Sequence, residues 1–591
     1  MTELHWTEVD GVATVWADGP EPLRAGLLFR TGRADETLAS AGQAHLIEHM
    51  AMSMTSGRVE QSNGFVGGTV TGFVTIGRPE EVSTFLAGIC DALGSLPEDR
   101  LEAEKQIVEA ENATRSYDVR ANLLAWRFGA SGHGLTGLPE LGSHGATIEQ
   151  LRERVARAFT SGNAVLWLSG PPPTDLRLRL PRGSKQAAPP LTPMQPVFPS
   201  WFVDDACGGI AAGATVARAP EGTIFCAIAS DRLREHLRTG QSVSYAPTVF
   251  YEPLNADTAH VVLFADSDKD RREELGRSFG EVFEGLTEIG EAEIDDVRNQ
   301  ARENWIGSLA PSPADQVLRD VQRAAMDWIL GSEFQSIESL AAEAGSVSAA
   351  SLAEFVRSLR ESTMFAMPGK AKIQPWIGTK APLSMEPAVS GRTVRAVDAP
   401  VQRDWLVHGP DGVSRRWLDG SHVTVRYDSL AAAVCYEDGC VRLVGCDASS
   451  VMVEPTLWRD GRAVCREIRE RVPPGLIVDK GARPAGAIPK PATTKWQRIR
   501  ATGRNVLIGA QPLAPANRTV TLTVAWSLVG LCTAAAVMIP LLLGPTAISM
   551  LHLSDGLNGI AAPAFMILVP LILVGALLYV GIRMIQDVND G

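Results

Sequence analysis

Two histidines and a glutamate in His45-Leu46-Ile47-Glu48-His49 have the types and spacing for hydrolytic metal chemistry. On a helix, positions i and i+4 share a face, so His45 and His49 can ligate one ion together. Glu48 lies one turn from His45 and beside His49, where it can act as base toward a metal-activated water. The order H-x-x-E-H inverts the commoner H-E-x-x-H. The plain alternative is an amphipathic helix with solvated histidines, and a third ligand decides between the two. Glu104-Lys105-Gln106-Ile107-Val108-Glu109-Ala110-Glu111 offers one. This polar, proline-free run predicts a helix after Leu96-Pro97-Glu98-Asp99, with Glu104 and Glu111 two turns apart on one face. One of them can coordinate while the other hydrogen-bonds a ligand histidine. Two His and one carboxylate leave an open zinc position for water, which is the catalytic arrangement. A solvated acidic face is the commoner fate of such a helix.

These residues carry a resemblance. Over roughly residues 5–370 the chain resembles the pitrilysin/insulinase inverzincin metallopeptidases, in particular the two-domain branch with mitochondrial processing peptidase and bacterial relatives. Thr31-Gly32-Arg33-Ala34-Asp35-Glu36 is similar to the turn before the family's motif. Ala41-Gly42-Gln43-Ala44-His45 through Met50 is similar to its Gly-x-x-His-x-x-Glu-His-Met core. The resemblance implies Zn2+ held by His45, His49 and Glu111, with Glu48 as general base and Glu104 behind a ligand histidine. Gly132-His133-Gly134 through Leu141-Gly142-Ser143 resembles the segment before the first domain's last strand, Asn163 to Gly170. Asn63-Gly64-Phe65 resembles the strand whose backbone meets substrate, which makes Asn63 and Phe65 substrate-binding residues. The interval from His49 to Glu111 is shorter than usual in the family, with the trim between Met50 and Asn63. Leu237-Arg238-Thr239 through Tyr245 resembles the Leu-Arg-Thr…Tyr signature, implying Arg238 and Tyr245 as donors to the scissile carbonyl. Relatives of this size are half of a clamshell. A homodimer, or a heterodimer with a related subunit, would therefore bring Arg238 and Tyr245 of one chain to the zinc of another.

The elements that must position these groups follow from periodicity. The expected fold class is α+β: two homologous sandwich domains at 1–185 (zinc-binding) and 195–368 (carrying the Arg/Tyr pair), as the resemblance implies. Strands such as Val12 to Trp16, Gly26 to Arg30 and His260 to Ala265 alternate with helices such as Arg271 to Glu288 and Ala292 to Gly307. A linker rich in Pro, Gly and Ser covers 369–400. From 401 to 480 the pattern turns to period two, as in Val423-Thr424-Val425-Arg426-Tyr427, and one helix follows at about Arg462 to Val472. Antiparallel strands closed by one C-terminal helix resemble a pleckstrin-homology-like domain, with a plain β-barrel spacer as the equal alternative.

With 591 residues and 45% hydrophobic composition, several cores are available. The net charge of −13 and the lack of a basic, aromatic-laced run exclude nucleic acid as a partner. Few lysines beside many arginines read as a GC-rich, bacterial genome. Eight cysteines without C-x-x-C spacing read as reduced thiols. The N-terminal stretch is polar and acidic, so no signal peptide is expected. A basic linker at 481–518 leads to two uncharged apolar runs, 519–543 and 560–582, each long enough to cross a bilayer core of about 30 Å. Lys495, Arg498, Arg500, Arg504 and Arg518 precede the first run and Arg583 follows the second, so both ends are expected in the cytoplasm. The expected function is a two-pass, membrane-anchored zinc metalloendopeptidase acting on short or unfolded peptides at the cytoplasmic face of the cell membrane. The alternative is a catalytically silent, membrane-tethered peptide-binding or assembly subunit.

Overall fold

Val12-Ala13-Thr14-Val15-Trp16, Leu23–Phe29 and Ala164–Leu168 are short aliphatic and β-branched runs, and they form the middle of the first sheet. The computed structural model describes residues 3–491 except 20, 56–60, 308–310, 370–372, 374–377, 398–403 and 418. The chain divides into two units, Met1–Gly481 with Pro491–Ala514 and Ala482–Lys490 with Pro515–Gly591, and the elements below all belong to the first.

The first lobe comprises β1 (His5–Val9), β2 (Val12–Trp16), β3 (Leu23–Phe29), α1 (Gln43–Ser53), β4 (Asn63–Val66), β5 (Thr71–Gly77), α2 (Pro79–Gly94), α3 (Leu101–Thr114), α4 (Val119–Phe128), α5 (Ile148–Ala158) and β6 (Ala164–Leu168). Its sheet order is β1-β2-β6-β3-β5-β4, with β6 parallel to β2 and antiparallel to β3. Every residue of β6 is buried, as a strand covered on both faces requires. On one face Leu27 and Phe29 meet Leu46 and Met50 of α1, Phe85 of α2 and Leu151 of α5. Among the described residues β4 closes the sheet as an edge strand, paired only with β5.

The second lobe contains β7 (Ser200–Val203), β8 (Gly209–Ala217), α6 (Pro220–Leu233), β9 (Thr248–Pro253), β10 (Thr258–Asp266), α7 (Arg272–Gly285), α8 (Glu291–Trp305), α9 (Pro313–Leu330), α10 (Ile337–Ser346), α11 (Ala349–Glu361), β11 (Met364–Met367) and β12 (Thr379–Lys380). Six strands again form one sheet, in the order β12-β7-β11-β8-β10-β9. The lobes exchange covers. Val321, Ala324 and Ile329 of α9 pack on Val15, Val165 and Trp167 of the first sheet. Val119 and Leu123 of α4 pack on Ala211, Val262 and Ala366 of the second. A sheet face of that size cannot be left in water, so each lobe completes the other's core.

A third part follows: β13 (Arg392–Val394), β14 (Asp404–His408), β15 (Gly412–Trp417), β16 (His422–Arg426), β17 (Leu430–Tyr436), β18 (Val441–Gly445), β19 (Ser450–Val453), α12 (Gly461–Arg471) and β20 (Ile477–Lys480). It forms two four-stranded sheets, β13-β14-β15-β16 and β19-β18-β17-β20. Two features differ from the expected antiparallel strands closed by a helix. The helix is not last, because β20 follows it and pairs parallel to β17. The segment 369–400 also supplies strands: β12 joins the second lobe's sheet and β13 pairs with β14. Alternation in β17 has a simple reason. Ala433 and Cys435 face this part's own core, while Ala432 and Val434 face the first lobe.

Among the described residues no helix is long and apolar enough to cross a membrane. The runs 519–543 and 560–582 lie outside the described residues, as does most of the basic linker 481–518.

Two buried histidines lie where the lobes meet. His260 on β10 is wholly buried with neither ring nitrogen hydrogen-bonded, and its Nε2 lies under Gly213 of β8 beside Leu123 of α4. Burial, then the charge of Arg127, holds its pKa down at about 3, and burial holds that of His133 at about 4. Both imidazoles are thus neutral in the fold, whereas an unfolded chain protonates them below about pH 6.5. Between that pH and the folded values the unfolded state binds more protons, so stability falls as pH falls. His260→Leu forfeits no hydrogen bond. It is expected to remove on the order of 2 kcal/mol of the stability loss between pH 7 and 4.5. Urea midpoints across that range check this, and an unchanged pH slope in the variant contradicts it.

Candidate active site

The start of α1 is built so that its first turn cannot shift. Glu36, buried, accepts from the backbone nitrogens of Gly42 and Ala44 at 2.8 Å each, satisfying donors that a helix N-terminus leaves free. Arg154 of α5 neutralises it at 3.4 Å. Gly42 is left-handed at φ +96, and a Cβ there would come within 2.7 Å of the Cβ of Glu140. Only glycine meets both demands, the turn and the approach of Glu140.

One turn on, His45 and His49 project from α1 toward α3. His45 Nε2 lies 3.3 Å and His49 Nε2 3.5 Å from Glu111 Oε2. One ligand atom from each of the three falls within 4.8 Å of the others, a spacing that could hold a metal ion. Their other ring nitrogens face buried carboxylates. His45 Nδ1 is 2.9 Å from Glu140 Oε2, and His49 Nδ1 is 3.4 Å from Glu104 Oε2. A carboxylate on Nδ1 fixes the tautomer that leaves Nε2 as a lone-pair donor. The donor set and its backing therefore fit a zinc ion.

Charge is balanced behind the donors. Burial would raise the pKa of Glu140, but the His45 hydrogen bond and the Arg33 charge outweigh it and hold it at about 2. Arg33, Arg115 and Asn112 stand 3.4, 3.7 and 3.2 Å from its oxygens. Glu104 is tied to Arg100 at 2.8 Å. Burial also lowers the affinity of His45 for a proton, yet the hydrogen bond and charge of Glu140, with Glu48 and Glu111, raise its pKa overall. Burial raises the pKa of Glu48 against the pull of His49 and His45, which suits a base working toward neutral pH. Its Oε2 stays 3.8 Å from His49 Nε2, beside the ligands and outside their set.

These groups line a cavity of about 790 Å³ together with Ser62 to Val66, including Asn63 and Phe65 of β4. Arg238 and Tyr245 do not line it. Arg238 sits in a π-helical turn, Arg234–Gly240, with its guanidinium 5.3 Å over the Tyr245 ring, and Tyr245 is 76% exposed. Five sequence-derived residues, His45, Glu48, His49, Glu104 and Glu111, thus meet around the cavity with Asn63 and Phe65 of β4, and the Arg/Tyr pair stands apart in the second lobe. Glu140 is the residue that sequence reasoning missed. Its sole signal was a lone acid in the apolar run Leu138-Pro139-Glu140-Leu141.

The first half of the periplasmic protease PqqL from Escherichia coli aligns with a TM-score of 0.52 at 15% identity, covering 62% of this chain and 91% of that one. The chain therefore shares its fold with the first half of PqqL. Whole PqqL aligns at 0.50 and 13% identity over 72% of this chain, which spans only 56% of that protein. A chain of complex III2 from Candida albicans aligns at 0.50 and 15% identity, covering 62% of this chain and 96% of that one. No family model matches the sequence, and no curated protein matches it either. One fold thus occurs in a protease and in complex III2, so side chains must carry any argument about activity.

Proposed function

We propose that the chain is a zinc-dependent peptide hydrolase. The observation that carries the reading is the convergence of His45, His49 and Glu111, with a buried carboxylate behind each histidine and Glu48 beside them. When bound, zinc supplies Lewis-acid polarisation of a carbonyl and makes a water more acidic. The protein does the rest. Glu48 takes the proton of the attacking water and delivers it to the leaving nitrogen. The free edge of β4 pairs with an extended peptide, with Asn63 and Phe65 at its face, so affinity comes from backbone bonds and favours unfolded segments. Exposed Arg238 and Tyr245 are oxyanion donors toward a second chain, either a second copy or a related subunit. Their distance from this cavity also favours a second reading, a peptide-binding subunit without turnover of its own. The uncharged runs 519–543 and 560–582 support bilayer attachment, with the hydrolase on the cytoplasmic side.

Metal analysis of the purified full chain, joined to cleavage of a fluorogenic unfolded peptide, tests this. About one zinc per chain is expected, with cleavage lost to a chelator and restored by zinc. A chain that takes up zinc but never cleaves would favour the silent subunit. A chain that binds no zinc overturns the reading.

A further inference from the structure

The third part of the chain touches the metal site from behind at two places. The first is the Glu140 segment. Leu138 and Leu141, which flank Glu140, are packed on Ala432, Val434, Val444 and Val478 of the β19-β18-β17-β20 sheet. The backbone nitrogen of Ala130, just before this segment, donates to the carbonyl of Cys446 at 2.7 Å. The apparatus that orients His45 through Glu140 therefore rests on β17, β18 and β20 rather than on the first lobe alone. The second place is α3. Lys480, the last residue of β20, donates from Nζ to Glu109 Oε1 at 2.9 Å, and His144 Nδ1 meets the same oxygen at 2.8 Å.

Glu109 and Glu111 are two residues apart on α3, which is a rotation of about 200°. One therefore faces the third part while the other faces the histidines. A helix is stiff over so short a span, so a hold on Glu109 sets where Glu111 stands. We infer that the β19-β18-β17-β20 sheet forms a brace for the metal site, with Lys480 as a positioning residue that acts on Glu111 through Glu109. This rests on the metal reading above.

The sign of the effect separates a brace from a bystander charge. Lys480→Glu exchanges a cation for an anion near a cation-binding site, and by charge alone that tightens zinc. Loss of the brace loosens it, because the introduced carboxylate repels Glu109 and frees α3. The test is zinc affinity of the full-length protein by chelator competition, with the melting temperature of the metal-free protein measured alongside. Lys480→Glu is expected to weaken zinc about fivefold, the scale of a half-exposed ion pair turned repulsive, and to shift melting little. Lys480→Arg, which keeps the charge and reach, is expected to bind zinc as the natural protein does. Unchanged or tighter zinc binding in Lys480→Glu overturns the inference, and so does an equal loss in Lys480→Arg. If the natural protein itself binds no zinc, the metal reading fails and the brace falls with it. Normal zinc binding in the natural protein and in Lys480→Glu alike sinks the brace alone.

Discussion

Glu48→Gln is expected to lower kcat for peptide hydrolysis by about 10³-fold while zinc content stays at that of the natural protein. The amide keeps the shape of the carboxylate but cannot accept a proton, so an attacking water loses its base. The metal site is spared because Glu48 stands 3.8 Å from His49 Nε2 and outside the triangle of His45, His49 and Glu111. Binding of peptide along β4 is untouched, so KM should change far less than kcat. Rates on an unfolded peptide at saturation, with metal content of the same sample, check this. Turnover within tenfold of the natural protein would remove Glu48 from the reaction.

The second large effect is predicted at a residue with no side chain. Gly64 lies on β4 directly across from Glu48. An added Cβ would fall 1.8 Å from Glu48 Oε1 and 2.6 Å from its Cδ. Gly64→Ala must therefore turn the carboxylate away or push β4 outward. Either shift misplaces the base relative to the substrate strand by the order of an ångström, which costs about 10²-fold in rate. Zinc binding should survive, since the three atoms nearest the added Cβ all belong to Glu48 and not to a ligand. The double variant Glu48→Gln, Gly64→Ala should be no slower than Glu48→Gln alone, because both changes act through one group. Additive losses in the double variant, or full activity in Gly64→Ala, would place the working carboxylate elsewhere.

Both predictions depend on a carboxylate packed against an edge strand, and the sequence supplies only half of that. His45, His49, Glu48 and the pair Glu104 and Glu111 are legible because helical periodicity turns spacing into geometry. Residues four or seven apart must share a face whatever surrounds them. The choice between Glu104 and Glu111 is different, since both lie on that face. It takes the position of α3 relative to α1 to put Glu111 near both Nε2 atoms and Glu104 near His49 Nδ1. Glu140 was beyond reach for the same reason in stronger form. It is 95 residues from its partner His45, in a segment without helical or strand periodicity.

The third part makes the same point about folds. Period-two alternation in β14 to β18 is written in the sequence, because one side of a strand must differ from the other. That β20 returns parallel to β17, and that β17 is buried on both sides, depends on pairing across a helix and on docking to the first lobe. The sequence by itself determined the local elements and the residue types at the site, because both follow from periods of two and of 3.6. Tertiary structure alone decided which carboxylate stands behind each histidine, why Gly64 must be glycine, and that a distant sheet supports the ligand helix. Those contacts join segments whose separation along the chain carries no periodic signal, so only the packed chain can express them.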